Sequence, residues 1–386
     1  MQPSLVIAKY ISFLLLGATL VCAGRAFAIN PGDVVAAIPE QSRLAEPPAN
    51  IALLLPSSGP FAKTAVALRD GFFAAYYQRL NKLYQPTIRL YDAGTQPAAV
   101  LAAYRQALAE GANVVIGPLD KDGVKALARS ADLAVPTLTL NYAEDENAKP
   151  GNLFQFGLAP EDEARAVAER AWQDGRRQAV ALIPVGEWGA RVFNTFKARF
   201  EELGGSVVAQ QTYDPAGSDF ATPVRTLFNI SSKERRRRQD VDALFMVAFP
   251  RQARQIRPQL NFNFAGDVPV YATSHVYTGR IDKNADTDVN DVLFCDMPWV
   301  LEEGQQALSR IISQRWPQSA DQFKRLYALG VDAYNLLPYL SRMRADPSER
   351  MAGETGNLSL DKGQRIHRAL VCARFVDGEP RIIAQP

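Results

Sequence analysis

Histidine and cysteine are scarce in this chain of 386 residues: His275 and His367 are its two histidines, and Cys22, Cys295 and Cys372 its three cysteines. The histidines stand far apart and match no metal spacing of the H-E-x-x-H kind, so a zinc hydrolase has no visible ligand set. No G-x-S-x-G elbow occurs, and a serine hydrolase would need a triad without a signature. A Walker or dinucleotide glycine pattern is also missing, so no cofactor is expected. Each histidine is expected to be structural, and the chain reads as a non-enzyme.

Surplus charge is lacking too. The chain has 43 basic and 41 acidic residues. Once Lys9 and Arg25 are set aside with the first 28 residues, the two counts are equal, because no acid precedes residue 29. Such a balance gives no electrostatic case for nucleic acid. The apolar run at 11–22 is short for a membrane span. With Lys9 before it and Ala26-Phe27-Ala28 after it, the run reads as a signal peptide over 1–28, cleaved after Ala28. Lipidation at Cys22 is the weaker reading, since Val21 is not the small residue a lipobox needs, and an uncleaved leader is the third. Membrane association would follow only from one of these two. Export permits disulfides. Two separate buried thiols at Cys295 and Cys372 are nevertheless expected over a bridge, because nothing in the sequence brings those segments together.

What the chain does have is alternation. Residues 29–49 hold several Pro and Ala without periodicity and read as a linker. The apolar run 51–55 reads as a strand buried on both faces, broken by Pro56-Ser-Ser-Gly-Pro60. Ala65, Leu68, Phe72 and Tyr76 then fall at helical spacing. Strands at 87–91, 113–116 and 135–140 alternate with helices at 98–110 and 124–130. A second series carries strands at 178–183, 206–212, 243–249 and 268–272, with helices at 161–174, 190–203 and 251–262. Beyond Val292, helices at 305–316 and 322–344 precede a hairpin of 369–375 and 381–383 turned at Asp377-Gly378. The βα order predicts doubly wound, mostly parallel sheets.

The strand, Ser/Gly turn and helix at 51–77 resemble the first unit of type I periplasmic binding proteins. That resemblance implies an α/β fold of two lobes, each a doubly wound mostly parallel sheet, joined by crossover hinge strands. The expected division is lobe 1 at 50–157, lobe 2 at 158–273, a return to lobe 1 at 274–345, and a C-terminal hairpin in lobe 2 at 346–386. A narrower resemblance rests on Leu68-Arg-Asp-Gly-Phe-Phe-Ala-Ala-Tyr-Tyr77, Val115-Ile-Gly-Pro-Leu119, Asp240-Val-Asp-Ala-Leu244, Asp296-Met-Pro-Trp299 and Val331-Asp-Ala-Tyr334. Thr355-Gly-Asn-Leu-Ser-Leu360 and Ile366-His-Arg368 complete it. In this order they resemble the penicillin-binding-protein activator family (the LppC/LpoA lipoproteins). The resemblance implies a periplasmic, non-catalytic regulator that stimulates a bifunctional peptidoglycan synthase by direct contact. Family members carry a helical-repeat domain ahead of this one, and only the 29–49 linker is expected here. The alternative is an importer's solute-binding protein, taking an amino acid, peptide or cell-wall fragment between the lobes.

Strand ends supply the expected cleft residues: Ser57, Ser58 and Gly59, then Asp120 and Lys121, then Thr139 and Asn141 from lobe 1. Glu187, Trp188 and Tyr213 are expected from lobe 2. Relatives of this fold that bind amino acids hold the ligand carboxylate with hydroxyls and backbone N–H groups, and Asp120 would repel such a ligand unless Lys121 neutralised it. The run Arg235, Arg236, Arg237 and Arg238 reads first as a solvated loop, and otherwise as a contact for an anionic partner.

Overall fold

A computed structural model describes residues 48–79, 85–130, 133–143, 151–230, 236–302 and 307–384. The leader, Cys22, most of the linker and Arg235 lie outside the described residues. The chain divides into two compact units, 1–43 and 44–386, and every described residue belongs to the second.

Its first series is β1 (Asn50–Leu55), α1 (Ala62–Arg79), β2 (Thr87–Asp92), α2 (Pro97–Ala109), β3 (Val114–Ile116), α3 (Lys121–Arg129), β4 (Thr137–Thr139) and β5 (Leu153–Gln155). These strands form a parallel sheet in the order β2-β1-β3-β4-β5. Side chains 51–55 of β1 are buried, as an inner strand between two helical layers requires.

The second series is α4 (Pro160–Gln173), β6 (Gln178–Pro184), α5 (Glu187–Glu202), β7 (Ser206–Tyr213), α6 (Ala221–Leu227), β8 (Ala243–Met246), α7 (Pro250–Phe262), β9 (Val270–Thr273), α8 (Lys283–Asp286) and β10 (Val292–Asp296). Then come α9 (Pro298–Leu301), α10 (Ala307–Arg315), α11 (Pro317–Asn335), α12 (Leu340–Ala345), β11 (Met351–Ala352), β12 (Asn357–Leu360), β13 (Ile366–Ala369), β14 (Val371–Val376) and β15 (Glu379–Ile382). Helices α2, α4, α7, α9 and α11 each open on proline, whose missing N–H costs nothing in a first turn.

The second sheet has the order β15-β14-β10-β9-β8-β6-β7, parallel from β7 to β10 and antiparallel beyond. A division at residue 274 is therefore corrected at one point: β10 pairs with β9 and β14 and belongs to lobe 2. The return to lobe 1 is made by α11, which packs along α1. Gly71 and Gly330 allow this close crossing, since a Cβ on Gly330 would stand 2.0 Å from the Leu68 carbonyl oxygen. Strands β11, β12 and β13 form a separate antiparallel sheet that the sequence pattern did not suggest. The closing hairpin turns at Asp377 and Gly378, with φ of 52° and 72°, the doubly left-handed pair that suits a two-residue connection.

The two mature cysteines are also a correction. Cys295 of β10 lies directly across from Cys372 of β14, and the two form a disulfide. Their sequence separation of 77 hid a cross-strand pair.

The chain passes between the lobes after β5, after β10 and again along β11 to β13. The first and third passages touch: the Gln155 N–H donates to the Gln364 carbonyl at 2.9 Å, and Gln155 bridges Arg365.

Candidate functional site

The cleft candidates of lobe 1 are mostly engaged with their own lobe. The Ser57 N–H donates to Asp92 Oδ1 at 3.0 Å, and its hydroxyl donates to the other oxygen. The hydroxyl, the Ser57 N–H and the Gly94 N–H hold the Asp92 carboxyl below its ordinary range. Ser58 is exposed, and Gly59 turns the chain at φ +79°. Asp120 caps α3, accepting from the Gly123 N–H at 2.7 Å, which is a helix-starting role. Thr139 is buried and donates to the Asn141 carbonyl at 2.9 Å. Asn141 in turn donates to the Leu119 carbonyl at 3.1 Å.

On lobe 2, Tyr213 is buried and donates to the Val247 carbonyl at 2.8 Å. Glu187 is exposed at the start of α5. Trp188 stacks on Phe249 with ring centroids 5.0 Å apart, and His275 meets both rings edge-on. Phe249 remains 48% exposed, so this pair is an aromatic surface at the carboxyl ends of β6 and β8. In the arginine run, Arg236 is exposed, Arg237 pairs with Asp267 at 2.6 Å, and Arg238 pairs with Asp240 at 2.6 Å.

A dense polar constellation lies where α4 starts and β13 passes. Pro160 opens the helix, and Glu161, Asp162 and Glu163 fill its first turn, where negative charge suits the helix N-terminus. Asp162 is buried. Its Oδ1 takes Arg165 at 2.6 Å and His367 Nδ1 at 3.0 Å, and its Oδ2 faces Arg368 Nε at 3.4 Å. Arg368, buried as well, donates to the Ala159 carbonyl at 3.0 Å and stands 3.9 Å from Glu163. Glu163 accepts from the Ser274 N–H at 3.0 Å and faces His275 Nδ1 at 3.3 Å.

Burial pushes the Asp162 and Glu163 carboxyls up, but their hydrogen-bonding and basic partners outweigh it. His367, Arg368 and Arg165 hold Asp162 below the usual range, and His275, Arg368 and Arg325 do so for Glu163. His367 moves the other way. Asp162 on one nitrogen and Asp361, 2.9 Å from the other, raise it to about 9 against the pull of burial. An imidazole held charged is a poor proton acceptor near neutral pH, so His367 supplies a fixed positive charge rather than a general base.

A cavity of about 900 Å³ opens beside this network. Lobe 1 lines it with Lys121, Asn141, Tyr142 and Ala143, and lobe 2 with residues 158–162, Arg165 and Arg191. Asp361, Arg365 and His367 of the β12–β13 turn and β13 close it. Of the ten cleft residues expected from strand ends, Lys121 and Asn141 meet here, whereas Trp188, Tyr213 and Ser57 to Gly59 do not. The sequence reading missed Asp162, Arg165, Arg365 and the roles of His367 and Arg368. The signal within reach was the acidic first turn after Pro160, together with Ile366-His-Arg368. Among the described residues no group of three or more His, Cys, Asp or Glu side chains is placed to hold a metal, and no helix is long and apolar enough to cross a membrane.

Two parallel-dominated sheets with three passages between them define a two-lobed fold of the type I periplasmic-binding-protein class. A putative branched-chain amino acid ABC transporter protein from Chromobacterium violaceum shares it, with a TM-score of 0.66 and 30% identity over 85% of this chain and 100% of that one. Within that class the chain belongs to the LppC family: the model described as LppC putative lipoprotein matches residues 43–378. The chain is 27% identical to the penicillin-binding protein activator LpoA of Vibrio vulnificus over 84% of its own length and 56% of the relative's. It is 30% identical to that of Serratia proteamaculans over 75% and 46%. The chain thus spans about half the length of the curated relatives it matches. The C-domain of LpoA from Haemophilus influenzae, described as a regulator of PBP1A, superposes with a TM-score of 0.73 and 25% identity, covering 87% of this chain and all of that domain.

Proposed function

We propose that this chain is a periplasmic, non-catalytic regulator of peptidoglycan synthesis that stimulates a bifunctional penicillin-binding protein by direct contact. The carrying observation is the match to the whole C-domain of LpoA from Haemophilus influenzae, which is described as a regulator of PBP1A. The cleft supports the same reading. Ser57, Asp120, Thr139 and Tyr213 make hydrogen bonds within their own lobes, so a free solute would compete with the fold for them. Contact then falls to lobe exteriors. The described network contains fixed charges rather than a nucleophile aligned with a base.

The test is a reconstituted assay of glycan polymerisation and cross-linking by the bifunctional synthase of the same organism, with and without this protein. Stimulation with co-purification is expected, and Ser58→Ala should leave it intact. Absence of both would move the weight to an importer's solute-binding subunit, the reading favoured by the Chromobacterium likeness.

A further inference from the structure

We propose that lobe 2 takes a phosphate group, free or as a monoester, in a cavity of about 240 Å³ lined by Arg176, Arg257 and Arg374. Val268 and Pro269 of its wall lead into β9, and Asp291 leads into β10, so the cavity lies at the amino ends of these parallel strands. The cleft between the lobes faces the carboxyl ends, so this cavity sits at the opposite edge of the sheet. Arg176 follows α4, which packs on one face of the sheet, and Arg257 stands on α7, which packs on the other. Arg374 lies on β14 directly across from Leu293 of β10. Three separate elements thus bring one guanidinium each to the same wall.

These charges are poorly balanced within the fold. The Arg257 side chain is 8% exposed, and its hydrogen bonds run to neutral oxygens: the Asn290 carbonyl at 3.2 Å, Asn261 Oδ1 at 2.6 Å and the Gly266 carbonyl at 3.4 Å. Its carboxylate neighbour, Asp291, stands 3.8 Å away with a side chain 75% exposed. Burial accordingly pulls the Arg257 proton affinity down. Arg176 stands by the Tyr271 hydroxyl, and its Nε is buried without a hydrogen-bond partner among the described residues. The Arg374 side chain is exposed and makes no ion pair among the described residues, and Arg381 lies directly opposite it on β15. Like charges facing each other across a ladder destabilise it. Asp267, the second acid of the lining, is taken by Arg237 at 2.6 Å. The space falls below the roughly 300–1,000 Å³ of sites that enclose a whole small ligand, so it fits one charged group. A phosphate monoester offers three terminal oxygens to three guanidinium forks, whereas a carboxylate offers two.

This inference does not rest on the regulator reading, because binding is measured without any synthase. Isothermal titration calorimetry of the full chain at fixed ionic strength would compare inorganic phosphate, glycerol 3-phosphate and acetate. Phosphate is expected to bind at least about tenfold more tightly than acetate. Glycerol 3-phosphate binding equally well would support a group carried at the tip of a larger molecule, and its exclusion would support free phosphate. Arg374→Gln, on an exposed side chain, should lose at least about tenfold in phosphate affinity, and Arg257→Gln should do the same where it folds. Arg381→Gln removes an equal charge that does not line the cavity and should leave the affinity nearly unchanged. No saturable heat at millimolar phosphate, acetate bound as tightly, an unchanged affinity in folded Arg374→Gln, or an equal loss in Arg381→Gln would overturn the proposal.

Discussion

His367 Nδ1 stands 3.0 Å from Oδ1 of Asp162, a residue 205 positions earlier in the chain. The contact joins the first turn of α4 to β13, so the first and third passages between the lobes share one buried ion network. Arg368 on the other carboxylate oxygen and Arg165 beside His367 give Asp162 three cations. A carboxylate with this surrounding is stable only while its partners remain.

Asp162→Asn keeps the shape and removes the charge. Arg368, with its side chain 1% exposed, would then lose its nearest counter-ion, leaving Glu163 at 3.9 Å. Breaking a buried pair from one side costs about 3–5 kcal/mol. A urea titration should show that loss as a lower midpoint with an unchanged slope. An unchanged midpoint would mean the network is not a structural tie.

Stability should fall as pH rises above neutral. His367 is raised from 6.5 to about 9, so its contribution is complete below pH 6.5 and lost as pH climbs through about 9. Two carboxyls give the same sign at lower pH. Burial raises Asp332 from 3.8 to about 6, while burial, then Asp332 and Glu302, raise Glu354 from 4.5 to about 7. Both hold protons in the folded state that the unfolded chain releases, so their effect is lost between those values. Thermal midpoints across this range check the slope. His367→Gln should flatten the alkaline limb alone.

Gly330→Ala tests the α1–α11 crossing. The new methyl would meet the Leu68 carbonyl oxygen at 2.0 Å, and backbone cannot rotate away as a side chain can. Overpacking of this kind costs about 1–3 kcal/mol or more. Gly151→Ala, which meets nothing within 4 Å, is the control and should stay within about 0.5 kcal/mol. Equal thermal midpoints for the two variants would contradict the close crossing.

Much of the fold was legible because local pattern carries it. The apolar run at 51–55 marks β1, Pro160 marks the start of α4, and Asp377-Gly378 marks the last turn. Each feature acts on its own neighbours through an unbroken buried run, a missing N–H or a left-handed backbone. Ordered motifs along 68–368 carried the family likeness for the same reason.

Sequence alone therefore determined the βα alternation, the two-lobed class and the family. Tertiary structure decided what depends on distant partners. It placed β10 between β9 and β14, and thereby brought Cys295 opposite Cys372. It built a third sheet from strands as short as Met351–Ala352, too brief to show a period. It also converted Asp162, Arg165, His367 and Arg368 from scattered charges into one network. A charge's partner is fixed by chain crossings rather than by spacing along the chain, so neither its burial nor its proton affinity can be read before the fold is closed.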